Sequence, residues 1–244
     1  MTVDVVLLPR YLTPEDLSGR AVAVFDVLRA TTTMTSALAA GVKEIRAFGE
    51  IDAAMAAAKQ SKDPHVLAGE RNAIKPPGFD LGNSPGAFTP AQHRGQTVFM
   101  ATTNGTRALV AAAEAQTIFA AALVNASAVA EALLSTGLDI TLLCSGTEGF
   151  VSTEDVLGAG AVIDTILSLS QVQLTSDILW MAHELFVAHR NNLLAALSNS
   201  RGGRNVQRAG LTPDLAFCAK LNSIPCVGVA SGSPPVVRRF ERIA

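Results

Sequence analysis

The chain has 244 residues and a formal net charge of −2 from 19 basic and 21 acidic side chains. No segment gathers the basic residues into a stripe that would neutralise a phosphate backbone, so nucleic acid is excluded as a partner class. The mean hydropathy is +0.32, yet Glu114, Gln116, Asn125 and Glu131 break the apolar runs before the roughly 18 residues a membrane span requires.

The N-terminal run Thr2-Val3-Asp4-Val5-Val6-Leu7-Leu8 carries an acid and no basic leader, and reads as a first strand. From there, short runs rich in β-branched residues alternate with Ala-rich stretches, a pattern that predicts a mostly parallel sheet covered by helices. Strands are expected at Asp4–Leu8, Ala21–Asp26, Glu44–Phe48, His65–Gly69, Thr97–Thr102, Thr117–Ala121 and Asp139–Cys144. The helices between them are expected near Thr32–Ala40, Ile51–Lys59, Gly105–Ala113 and Ala126–Ser135. After Thr153 the pattern turns helical, with one more strand at Cys226–Ala230. Ser231-Gly232-Ser233-Pro234-Pro235 reads as a linker, so a single domain over 1–244 is expected with 231–244 as a tail. Three cysteines, Cys144, Cys218 and Cys226, form no C-x-x-C pair and leave one over in any disulfide scheme, which points to a reducing, cytoplasmic setting.

In open α/β sheets the ligand crevice lies beyond the carboxyl ends of the strands, and the residues there are unusually polar. Asp26-Val27-Leu28-Arg29-Ala30-Thr31-Thr32-Thr33 puts an acid at a strand end, an arginine in the turn and hydroxyls at a helix start, where free backbone N–H groups cap or hold an anion. Thr102-Thr103-Asn104-Gly105-Thr106 repeats that arrangement, its glycine letting backbone approach an oxyanion. Gly69-Glu70-Arg71 ends another strand, and Glu70 with Asp80 can supply hard oxygen ligands to Mg²⁺. Cys144 ends a strand too, but a cysteine phosphate loop needs an arginine six residues on, and position 150 is Phe. Glu154 and Asp155 read equally as first-turn helix charges or as crevice residues. No histidine pair has the spacing of a metal or triad motif. Ser200-Arg201-Gly202-Gly203-Arg204 reads as a flexible turn able to swing guanidinium groups over an anion.

Together with Gly78-Phe79-Asp80-Leu81-Gly82-Asn83-Ser84-Pro85, Asn125-Ala126-Ser127 and Phe217-Cys218-Ala219, these motifs resemble the 2-phosphosulfolactate phosphatase family across the chain. The resemblance implies a three-layer α/β/α fold with a mostly parallel or mixed sheet. It also implies a homodimer that uses Mg²⁺ to convert a small phosphate ester, 2-phospho-3-sulfolactate, to 3-sulfolactate and phosphate. On this reading Asp26, Glu70 and Asp80 are metal ligands, and Asp26, Arg29, Glu70 and Arg71 form the catalytic set. Thr32, Thr33, Asn83, Ser84, Thr103, Asn104 and Arg201 are substrate-binding candidates. Attack by water and formation of an aspartyl-phosphate at Asp26 both remain open, as do another anionic ester and a non-catalytic anion receptor. One departure is Asn222, where the family pattern favours aspartate.

Overall fold

The computed structural model describes residues 1–174 and 176–241. In chain order the elements are β1 (Val3–Val6), β2 (Arg20–Phe25), α1 (Ala30–Ala39), β3 (Glu44–Phe48), α2 (Ile51–Gln60), β4 (His65–Gly69), α3 (Pro90–His93), β5 (Thr97–Ala101), α4 (Gly105–Ala111) and β6 (Thr117–Ala121). Then follow α5 (Ala126–Ser135), β7 (Asp139–Cys144), α6 (Thr153–Leu169), α7 (Asp177–His189), α8 (Leu193–Asn199), α9 (Arg201–Arg208), α10 (Thr212–Cys218), β8 (Gly228–Ser231) and β9 (Val236–Arg239).

All the strands join one nine-stranded sheet in the order β1-β7-β2-β6-β8-β9-β3-β5-β4. Two parallel sets, β1-β7-β2-β6 and β3-β5-β4, are joined through the antiparallel pair β8-β9. Side chains alternate across each strand, and both faces are covered. Ala21, Ala23 and Phe25 of β2 enter a core with Val129 and Leu133 of α5, Val162 and Ile166 of α6 and Leu179 of α7. Val22 and Val24 point the other way, into a core with Met34 and Leu38 of α1 and Leu109 of α4. That two-sided burial explains why β2 reads as a continuous apolar run, and it makes the fold the expected three-layer α/β/α arrangement. Among the described residues no helix is long and apolar enough to cross a membrane.

The expected tail is corrected. Residues 232–235 are the connection of a hairpin, with Ser231 opposite Val236, and β9 pairs on its other side with β3. Val237 is completely buried. Arg238 also donates from Nε and Nη2 to Oε2 of Glu44, at 3.0 and 2.6 Å. Residues 231–239 are therefore part of the middle of the sheet, while 242–244 of the expected tail lie outside the described residues.

Candidate active site

The carboxyl ends of β2, β4 and β5 meet around a cavity of about 300 Å³. Asp26, Arg29, Glu70, Asn83, Thr103 and Asn104 line it, so half of the sequence-derived candidates are brought together. Further wall comes from Asn72, Ala73 and Ile74 after β4, from Thr147 and Glu148 after β7 and from Gly202, Asn205, Val206 and Arg208 of α9.

Asp26 sits at the floor with only 6% of its surface exposed. Its Oδ1 accepts the Ala30 N–H at 3.1 Å, and its Oδ2 packs against the backbone of Gly105. Glycine is required at 105, because a Cβ there would fall 2.7 Å from Asp26 Oδ2 and 2.6 Å from the Ala30 Cβ. Burial, followed by the negative charges of Glu70 and Glu154, pushes the Asp26 carboxyl up to about 7 against the pull of the Ala30 hydrogen bond.

Glu70 clips two loops together: Oε1 accepts the Thr103 N–H and Oε2 the Ala73 N–H, both at 2.7 Å. Asp155 does the same for the ends of β2 and β7, taking the N–H groups of Val27 and Gly146, each at 2.9 Å. Glu154 lies behind the wall, 1% exposed, with Oε1 accepting the Gly202 N–H at 3.1 Å and Oε2 without any partner. Burial raises the carboxyl groups of both Glu154 and Asp155.

Arg29 is the buried cation of the site. Its Nη1 donates to Asp214 Oδ2 at 2.6 Å and to Ser84 Oγ at 3.2 Å, and Ser84 Oγ in turn donates to the same carboxylate oxygen at 2.7 Å. Ser84 thus holds the arginine and does not itself line the cavity.

Five further candidates are placed elsewhere. Thr32 and Thr33 are fully buried and donate to the carbonyls of Val27 and Asn83, because consecutive residues of a helix face about 100° apart. Arg71 turns outward to Glu50 at 3.2 Å. Asp80 is spent on the edge strand, its Oδ2 accepting the Leu67 N–H at 2.8 Å, so it is not a cavity ligand. Arg201 stacks 4.3 Å over Phe150 and lies 3.7 Å from Glu148, at the rim.

The supposed flexible turn around it is the start of α9. A Cβ on Gly202 would meet Glu154 Oε1 at 2.0 Å and one on Gly203 the Leu197 carbonyl at 1.8 Å, so the two glycines let the helix dock. Asn222 is outside the cavity as well; its Oδ1 accepts the Ser127 N–H at 2.8 Å in the first turn of α5, from a φ of 53° that asparagine tolerates. Asp214, Asn205 and Arg208 had no signal in the sequence, since they lie on late helices rather than after a strand, whereas Thr147 did carry a strand-end signal, three residues past β7. Glu154 did have one, its position in a first helical turn beside Asp155.

The fit of Mg²⁺ follows from the donors. Among the described residues no three His, Cys, Asp or Glu side chains already close on one point. An ion with a closed all-protein shell is therefore disfavoured, but Mg²⁺ keeps several waters and uses one or two carboxylates plus phosphate oxygens. Asp26 with Glu70 beside it, and the unpartnered Oε2 of Glu154 behind, are hard oxygen donors short of positive charge. The residues fit such an ion.

The sequence model of the 2-phosphosulpholactate phosphatase family matches residues 7–233. A probable 2-phosphosulfolactate phosphatase of Carboxydothermus hydrogenoformans is 40% identical over 227 residues, covering 93% of this chain and 92% of its own. The similarly named protein of Symbiobacterium thermophilum is 38% identical, covering 88% and 93% of the two chains. That of Synechococcus sp. (strain RCC307) is 42% identical, covering 94% and 96%. The matched span contains the strand ends that build the cavity, α9 that walls it and Asp214 that braces its arginine, and on that ground the chain belongs to the 2-phosphosulpholactate phosphatase family.

Proposed function

We propose that the protein is a phosphoric monoester hydrolase that converts 2-phospho-3-sulfolactate to 3-sulfolactate and inorganic phosphate with Mg²⁺. The observation that carries this reading is Asp26, a strand-end carboxylate held by the Ala30 N–H and facing a cavity with Glu70 and the braced Arg29.

Phosphoryl transfer asks a protein mainly for positioning and charge stabilisation. Arg29, fixed through Asp214 and Ser84, presents its guanidinium to a phosphate oxygen without having to order a mobile side chain. Thr103, whose Oγ is buried without a partner, and Asn104 supply hydrogen-bond donors from the opposite lip. Bound through Asp26 and Glu70, with Glu154 behind them, Mg²⁺ would neutralise charge on the phosphoryl group. Asp26 is already engaged by the Ala30 N–H, which suits a carboxylate that accepts a proton from attacking water better than one that must itself attack phosphorus. Without a cation burial raises this carboxyl to about 7; a bound cation would lower it and so supply the ionised form that takes a proton at neutral pH.

The protein is further proposed to be a cytoplasmic homodimer. Three buried free cysteines suit a reducing compartment. Exposed Ile178 and Met181, one turn apart on α7, offer apolar surface for a subunit contact. The test of function is phosphate release from phosphosulfolactate, phospholactate, phosphoglycerates and an aryl phosphate, with Mg²⁺ and with chelator. Preference for phosphosulfolactate that disappears on chelation and returns with Mg²⁺ is expected; equal rates on the aryl phosphate, or turnover indifferent to chelation, would refute it.

A further inference from the structure

The charged residues lining the cavity are Asp26, Glu70, Glu148, Arg29 and Arg208. Arg29 is neutralised by Asp214 at 2.6 Å, and Arg208 enters no ion pair among the described residues. Its side chain lies back along its own helix: Nε donates to the Arg204 carbonyl at 3.3 Å, and Nη2 donates to Oδ1 of Asn205. This is the direction in which helical side chains lean, toward the N-terminus of their helix. At the N-terminal end of α9, Gly202 lines the cavity beside Leu28, with Glu154 behind it. Arg208 is six residues further on, about 9 Å along the axis at a rise of 1.5 Å per residue. A guanidinium has five N–H donors; the two bonds above leave the others available.

We infer that Arg208, oriented by Asn205, determines specificity by binding the sulfonate of the substrate. The inference rests on the proposed function. In 2-phospho-3-sulfolactate the phosphate and the carboxylate share one carbon, and the sulfonate is borne on the next. With the phosphate at Arg29, the sulfonate, borne one bond further from the phosphate than the carboxylate, has the reach to extend along α9, where the uncompensated cation among the described residues is Arg208. Three sulfonate oxygens match the spare donors of a guanidinium, which an ammonium would meet only as a point charge. Arg208 also ends α9, where a cation favours the helix dipole; that role is indifferent to the ester bound.

The experiment compares phosphosulfolactate with 2-phospholactate, which lacks only the sulfonate, the latter read as substrate or as competitive inhibitor. In Arg208→Gln the KM for phosphosulfolactate should rise at least tenfold with kcat little changed, whereas the constant for phospholactate should move less than twofold. Arg208→Lys should recover part of the loss, and circular dichroism should match the wild type for at least this variant. Equal changes for both esters, or none for either, would overturn the assignment of Arg208. Lack of phosphate release from phosphosulfolactate by the wild-type protein would instead overturn the proposed function, and the two failures are thereby told apart.

Discussion

Asp26→Asn should make the protein more stable at alkaline pH while removing its activity. The Asp26 carboxyl is raised from 3.8 to about 7, by burial first and then by the charges of Glu70 and Glu154. A native pKa above the unfolded one means that the folded state holds the proton more tightly, so stability falls as pH rises from about 4 to about 7. At about 1.4 kcal/mol per unit, ionised Asp26 destabilises the fold by about 4 kcal/mol above pH 7 and by nothing below pH 4. Asparagine removes that charge and can keep the Ala30 bond, but it sets an NH2 group where Oδ2 packs against the Gly105 backbone, a loss of roughly 1–3 kcal/mol.

The variant should thus exceed the wild type by about 1–3 kcal/mol at pH 8, or roughly 2–12 °C in Tm for a chain of this size. At pH 4 the order should reverse, because the wild-type carboxyl is then protonated and only the misplaced NH2 group remains. Urea unfolding followed by circular dichroism at the two pH values, with chelator present so that no cation offsets the charge, measures both differences. Turnover should fall by about 10²–10⁴-fold, the range expected when a general base is lost. A variant destabilised equally at pH 8 and pH 4 would refute the argument that charge is concentrated at this residue.

Cys144→Ser should keep most activity, since the thiol is fully buried and burial pushes it well above its ordinary value; total loss of kcat in a folded variant would restore a thiol mechanism. Asp214→Asn should raise KM for the ester at least tenfold, and it should destabilise the fold by up to about 3–5 kcal/mol by leaving Arg29 in a buried site without its counter-charge. An unchanged KM would show that Arg29 does not depend on this pair. Truncation after Ser231 should abolish cooperative unfolding, because it strips β9 from between β8 and β3 and exposes the Val237 pocket. A truncated chain with wild-type Tm would return this segment to the status of a tail.

Strand ends were legible where sequence alone could mark them. β2 is a run buried on both faces that stops at Phe25, and the next residue is an acid, so the change from apolar to charged locates Asp26 without any knowledge of packing. The same step located Glu70 after β4 and Thr103 after β5. Orientation within a helix was not legible in the same way. Thr31, Thr32 and Thr33 look alike in sequence, yet each donates to a different carbonyl, those of Asp26, Val27 and Asn83. The β8-β9 pair was obscured because its strands are four residues each and its turn has a linker's composition. Asp214 and Arg208 gave no local sign at all, since their roles exist only once α9 and α10 have folded back over β2 and β4.

The acids and the glycines of the site are best understood together. Asp26, Glu70, Glu154 and Asp155 each accept a backbone N–H from another element or loop, and at two glycines, Gly105 against Asp26 and Gly202 against Glu154, a Cβ would collide with the carboxylate itself. A buried carboxylate is tolerated when N–H groups are aimed at it, and a glycine allows the backbone to come close enough to do so. The four acids therefore do two things at once, holding the strand ends together and concentrating negative charge around one cavity. That charge opposes folding, as the raised Asp26 and Asp155 carboxyls indicate. A fold that retains it against stability has placed it where a cation and a phosphate can use it, which is why Gly202→Ala, remote from any bond that breaks, should weaken catalysis by displacing Glu154 and α9 together.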